Sequence, residues 1–170
     1  DFMEPNPRVV FKGPAGTGKT LLAIEAARRA NNTGRKTLFL CFNNLLGRWL
    51  KDQMSVFSPN VKTTTLHSIM LETVGLRPEE YLISDDNFWN VELPLKAIDT
   101  LLENSGSKDY KFEEIIVDEA QDMLKSAYLD FMDLILNGGL AAGRWRFFGD
   151  FEKQNIFNPG YITLEVFLEK

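Results

Sequence analysis

Apolar residues in this chain of 170 follow two rhythms. Unbroken apolar runs at residues 8–12 (RVVFK), 37–42 (TLFLCF), 114–117 (EIIV) and 144–148 (RWRFF) predict buried strands, and the β-branched stretch 61–66 (VKTTTL) predicts a fifth. Between them apolar positions recur at helical spacing. Residues 19–31 predict a helix with Leu21, Leu22, Ile24, Ala26 and Ala27 as its apolar face, stopped by Asn31-Asn32-Thr33-Gly34. Residues 45–57 predict a second, with Leu46, Trp49, Leu50 and Met54 on one stripe. Pro94 opens a third that runs to Asn104 with Leu95, Ile98, Leu101 and Leu102 as its stripe. A fourth spans residues 124–136 and stops at Asn137-Gly138-Gly139; the tail 162–170 predicts a last helix. Pro78-Glu79-Glu80 reads as a helical turn and residues 84–87 as a loop.

Strands that alternate with helices imply a parallel sheet covered on both faces, a three-layer α/β/α architecture with right-handed crossovers. In such sheets ligands bind at the carboxyl ends of the strands. The expected organisation is one domain over 1–170, with a small helical insertion at about 71–110. No apolar run approaches the roughly 18 residues of a membrane span, and Asp1-Phe2-Met3-Glu4-Pro5 is not a signal-peptide start. One Cys and one His exclude a disulfide framework and a multi-histidine metal site. The expectation is a cytoplasmic, soluble domain, monomeric by itself and without membrane contact. The net charge of −5 is unevenly spread: residues 1–70 carry ten Lys or Arg against four acids, residues 71–170 nine against twenty. A general polyanion binder is excluded; local binding by the first part is not.

Two motifs carry chemistry. Gly13-Pro14-Ala15-Gly16-Thr17-Gly18-Lys19-Thr20 satisfies G-x-x-x-x-G-K-[ST] between a predicted strand and a predicted helix. Its glycines let successive N–H groups turn toward phosphate oxygens, and the helix N-terminus adds its positive end. Lys19 supplies a charge for the β- and γ-phosphates and Thr20 a hard oxygen for Mg²⁺. At the end of the run 114–117 stand Asp118 and Glu119. Asp118 is placed to hold Mg²⁺ and Glu119 to act as general base on a water.

The segment Asp118-Glu119-Ala120-Gln121-Asp122 resembles the second motif of superfamily 1 (UvrD/Rep-like) helicases, D-E-x-Q-D. Phe42-Asn43-Asn44-Leu45-Leu46 is similar to that family's motif Ia, Thr65-Leu66-His67-Ser68 to motif Ib, and Gly149-Asp150-Phe151-Glu152-Lys153-Gln154 to the third motif, G-D-x-x-Q. The resemblance spans residues 8–157. It implies a RecA-like P-loop NTPase fold and an ATP- and Mg²⁺-dependent motor coupled to single-stranded nucleic acid, DNA by preference. Carried over, Gln121 and Gln154 would meet the γ-phosphate and the attacking water, and Asp150 would fix the third-motif loop. Asn43, Thr65 and His67 would line the strand-binding face, with Asn44, Arg48 and Lys51 on the nucleic-acid backbone.

This sequence departs from the pattern in places. The third motif has one residue extra, so Lys153 or Gln154 fills the glutamine position. The upstream glutamine motif and a second RecA-like domain with its arginine finger are expected to be absent from this stretch. The sequence is therefore expected to be a fragment, the first motor domain of a larger protein and a poor ATPase by itself. Two other classes fit the phosphate loop: an ATP-dependent regulatory switch that never moves on nucleic acid, and a small-molecule kinase. Trp49, Trp89 and Trp145 sit in apolar patterns and are expected to pack in the interior. Cys41 is expected to be an inert buried thiol, and Glu113 and Glu114 the solvated start of a strand. For His67, a cap at a strand-to-helix junction weighs equally with a nucleotide contact.

Overall fold

The computed structural model describes residues 5–42, 52–57, 59–77, 85–104, 111–153 and 161–169. Five strands appear among them: β1 Arg8–Lys12, β2 Thr37–Cys41, β3 Val61–Thr65, β4 Glu114–Asp118 and β5 Arg144–Gly149. They form one parallel sheet in the order β1-β5-β4-β2-β3. The helices are α1 Lys19–Asn32, α2 Leu66–Thr73, α3 Leu93–Glu103, α4 Ser126–Ile135, α5 Gly139–Ala142 and α6 Leu164–Leu168. This is the RecA-like α/β P-loop architecture, with strands where the apolar runs predict them.

Alternation within each strand divides the interior. Phe39, Cys41, Ile116 and Phe148 point to one face, against Ala23, Ala26 and Ala27 of α1. The small alanines bring that helix close to the sheet. Leu38, Leu40, Ile115, Val117 and Phe147 point to the other face, where α2, α3, α4 and α6 lie. The inner strands β2 and β4 are buried at every position, as strands covered on both sides must be. Among the described residues, no helix is long and apolar enough to cross a membrane.

Several expectations need correction. Leu21 and Leu22 are exposed, because the alanine stripe is the face that meets the sheet. The strand expected over 61–66 ends at Thr65, whose Oγ1 accepts a hydrogen bond from Ser68 N at 3.2 Å and caps α2. That helix was not anticipated. The loop expected at 84–87 is already helical at Asp86-Asn87 and continues as a π-helical turn, Phe88–Glu92, into α3. α3 buries Leu93, Pro94 and Ala97 against α2 and α4; of the expected stripe, Ile98 and Leu101 pack partly buried against the core, while Leu95 and Leu102 are about half exposed. Of the helix expected over 45–57, residues 45–51 lie outside the described residues; 52–54 are helical and Ser55–Phe57 form a 3-10 turn. Trp145 packs inside and donates from Nε1 to Leu140 O, while Trp49 lies outside the described residues.

The largest correction concerns Glu114. It is not solvated: its relative exposure is 0%, and Arg146 beside it is at 1%. Arg146 Nε lies 2.8 Å from Glu114 Oε1, a charge contact off the N–H axis, and Arg35 Nε donates to Oε2 at 2.9 Å. Arg146 Nη1 also donates to Asn6 O. Register explains the pairing, since Glu114 lies opposite Arg144 and Arg146 opposite Ile116 on adjacent strands. Only Glu113 is exposed, and its carboxylate accepts from Lys36 N. Removing one member of a buried pair strands the other charge, at a cost of about 3–5 kcal/mol. Glu114→Gln is therefore expected to lower the urea-unfolding free energy by about 3 kcal/mol. A loss below about 0.5 kcal/mol, the level of an ordinary surface change, would show the pair to be energetically idle.

Candidate functional site

The strand order sets the site. β1 and β4 lie on either side of β5, so the turns that leave their carboxyl ends face each other across it. Gly13 N donates to Gly149 O at 3.2 Å, which fastens the phosphate-type loop to the end of β5. Within the loop Gly16 and Gly18 have φ of 82° and 80°, a left-handed conformation that glycine adopts without a Cβ penalty. Thr17 Oγ1 donates to Pro14 O, and Lys19 Nζ donates to Gly13 O at 2.7 Å and Pro14 O at 2.8 Å. The ammonium is thus held at the loop by neutral carbonyls. A phosphate would replace them with a stronger charge-assisted contact.

Thr20 opens α1 and donates through Oγ1 to Asp118 Oδ2 at 2.8 Å. Asp118 is fully buried, and its other oxygen accepts from Glu119 N at 3.1 Å. Burial pushes its carboxyl above the usual range and the neighbouring Glu119 adds to that, while the Thr20 hydrogen bond and Lys19 oppose it. Two hard oxygens in contact, one of them on an acid that burial leaves short of positive charge, fit a divalent cation. Among the described residues no group of three or more His, Cys, Asp or Glu could hold a metal. Mg²⁺ takes one or two protein oxygens and fills its shell with water and phosphate, and Thr20 and Asp118 offer two such oxygens.

Glu119 adopts φ 54°, ψ 44°, the one non-glycine residue with positive φ among those described. Such a conformation costs about 1–3 kcal/mol and persists where neighbours over-determine it. Gln121 is that neighbour. Its Nε2 donates to Glu119 Oε2 at 2.6 Å and to Asp122 Oδ2 at 3.3 Å, while its Oε1 accepts from Asp150 N at 3.1 Å. Both ends of the amide are engaged inside the protein. The resemblance sets Gln121 toward the γ-phosphate; its amide here bridges Glu119 and the turn after β5. A Cβ at Gly149 would stand 2.7 Å from Gln121 Oε1 and 2.9 Å from the Phe151 ring, so a larger residue here would displace the Gln121 amide. That Gly149-Asp150 pair was the available signal for the brace.

The other expected residues separate into three groups. Gly13 to Thr20, Asp118, Glu119, Gln121 and Asp150 come together at this edge. Thr65 is buried with its hydroxyl used as a cap. His67 packs among Phe42, Trp89 and Tyr128 at ring distances of 5.8, 5.2 and 5.7 Å, with Nε2 2.9 Å from Tyr128 Oη. Burial, aided by Lys125, lowers its pKa to about 4. Neither Thr65 nor His67 therefore presents a free polar group as expected of a strand-lining residue. Asn43, Asn44, Arg48, Lys51 and Gln154 lie outside the described residues, and of Lys153 only the backbone, in the turn Phe151–Lys153, is described. A groove of about 600 Å³ elsewhere, lined by Arg8, Leu129, Trp145 and Phe167, sits by the start of β1, where Arg8 stands with the acids Asp130 and Asp133.

The roles assigned to Glu119 and Gln121 separate in kinetics. Glu119→Gln keeps shape but cannot accept a proton, so MgATP binding is expected to stay within about twofold while single-turnover hydrolysis disappears. Gln121→Ala frees the base without removing it and is expected to slow hydrolysis by about 10²-fold. A wild-type rate in Gln121→Ala would contradict the brace.

The family model described as "Type III restriction enzyme, res subunit" matches residues 2–134, a span that holds both the phosphate-type loop and the Asp118–Asp122 segment. No curated protein matches the chain.

Proposed function

The chain belongs to the type III restriction enzyme res subunit family, a helicase-superfamily RecA-like ATP-binding domain, and on that premise we propose that it is the ATP-binding half of a superfamily 1 helicase or translocase motor. It hydrolyses ATP to ADP and phosphate in step with single-stranded nucleic acid. The observation that carries this reading is the brace: Gln121 ties the general base Glu119 to Asp150, so the hydrolytic residue and the third-motif turn cannot move independently. A simple binding module has no need of that link.

In this reading the backbone N–H groups from Ala15 to Thr20 ring the β- and γ-phosphates, and Lys19 exchanges its carbonyl partners for phosphate oxygens. Thr20 and Asp118 would hold Mg²⁺, which when bound neutralises phosphate charge. Glu119 orients the attacking water and takes its proton. Asn43, Asn44, Arg48 and Lys51, in the positively charged first part of the chain, supply contacts to the phosphate backbone of a single strand, DNA by preference. Gln154 or Lys153 completes the third motif. The resemblance to superfamily 1 rests on Asp118-Glu119-Ala120-Gln121-Asp122 followed by Gly149-Asp150.

Residues 1–170 act as one motor domain, and the far wall of the nucleotide cleft belongs to a second RecA-like domain. Arg144 and Arg146 do not replace that wall: they lie toward the amino end of β5, and Arg146 is committed to Glu114. An arginine finger contributes about 10³–10⁵ in rate. With saturating single-stranded DNA, steady-state turnover of this chain is therefore expected to fall far below the enzyme median of about 10 s⁻¹. Turnover near that median would show that one domain suffices and would replace the motor reading with a self-contained NTPase.

A further inference from the structure

One buried polar cluster is not used by the hydrolytic site. The Tyr128 side chain is fully buried, yet its hydroxyl meets groups from two other elements. His67 Nε2 on α2 lies 2.9 Å away, and Asn90 Oδ1 on the π-helical turn 3.0 Å away. Lys125 Nζ donates to the same Asn90 oxygen at 2.6 Å. These contacts fix the protons. An ammonium only donates, so the Asn90 atom between Lys125 and Tyr128 is the acceptor oxygen. Tyr128 then donates to Asn90, and its own oxygen accepts from His67 Nε2–H. The order is Lys125 to Asn90, Tyr128 to Asn90 and His67 to Tyr128, with Trp89 O a second, longer acceptor 3.5 Å from the Tyr128 hydroxyl.

The two ends of this chain lie at different functional places. Lys125 stands three residues after Asp122, at the position that precedes α4. Its ammonium stands 5.0 Å from the Tyr128 ring centre and 4.6 Å from that of Tyr161, whose hydroxyl donates to Asp122 O at 3.4 Å. At the other end, His67 touches Phe42, the exposed residue that follows β2 and begins the segment 42–46. A phenylalanine would fill the same space as Tyr128. The hydroxyl adds only the link.

We infer that Tyr128 is a positioning residue that couples the nucleotide-side loop after β4 to the face at the ends of β2 and β3, where a single-stranded nucleic acid would lie. It rests on the nucleic-acid-coupled reading above. A shift of the loop after β4 moves Lys125 and the start of α4, and the hydrogen-bond order passes that shift to His67 and Phe42. Coupling between sites is reciprocal, and it is measured as the factor by which one ligand changes affinity for the other, typically about 5–150-fold.

The test uses this chain, a non-hydrolysable MgATP analogue and a fluorescent oligothymidine at fixed salt. In the wild type, saturating analogue is expected to change oligothymidine affinity by about fivefold or more. In Tyr128→Phe that factor is expected to fall to within twofold of one, with each ligand's separate affinity and the melting temperature little changed. Lys125→Met, which keeps the stem and removes the donor, should lose the factor in the same way and decides the matter if Tyr128→Phe folds poorly. A coupling factor retained in both variants overturns the inference. A wild-type factor of one with both ligands bound overturns it too, and leaves the ATP-binding reading standing. Absence of oligothymidine binding in the wild type overturns it together with the nucleic-acid part of the proposed function.

Discussion

The hydroxyl of Thr20 donates to Asp118 across 98 positions of sequence, and most of the candidate site is arranged around that contact. It exists because β1 and β4 run parallel with β5 between them, so that the start of α1 and the end of β4 arrive at one edge. A break in that order would leave a glycine loop without an acid opposite it. The sheet can hold this order because β2, β4 and β5 are buried at almost every position and covered on both faces. The Glu114–Arg146 pair sits in the same sheet, toward the opposite ends of its strands.

Around that contact the polar groups form a continuous set. Asp118 receives Glu119 N, Glu119 receives Gln121, and Gln121 receives Asp150 N. Glu119 pays for its left-handed backbone through these partners. Each link sits in a partly or fully buried place where an unmade hydrogen bond is costly, so the residues keep one arrangement. That rigidity suits hydrolysis, in which a base has to be held at a set distance from the reacting water.

Much of this was legible in the sequence, for physical reasons that differ by element. The inner strands were visible because a strand buried on both faces carries a run of apolar residues, and β3 because its residues are β-branched. The glycine loop was visible because positive φ at Gly16 and Gly18 demands a residue type that sequence displays directly. α2 was hidden: Leu66 continues the apolar pattern of β3, and the single side chain that ends the strand, Thr65, is itself a good strand former. The buried face of α3 was misjudged because Leu95 and Leu102 are as apolar as Leu93, and only packing against α2 and α4 decides which side turns inward. Glu114 was misread because its partner Arg146 is distant in sequence and meets it only through strand register. Gln121 was legible as a site residue from its motif, whereas its bond to Asp150 N depends on the turn after β5.

The central claim is that the loop after β1 and the acid after β4 form one MgATP site. Calorimetric titration of ATP into the wild type, Lys19→Ala and Asp118→Asn, each in Mg²⁺ and in EDTA, tests it most directly. The account predicts wild-type binding that weakens in EDTA, loss of binding in Lys19→Ala at an unchanged melting temperature, and binding by Asp118→Asn that no longer responds to Mg²⁺. Undiminished MgATP affinity in Lys19→Ala, with the fold intact, would contradict it.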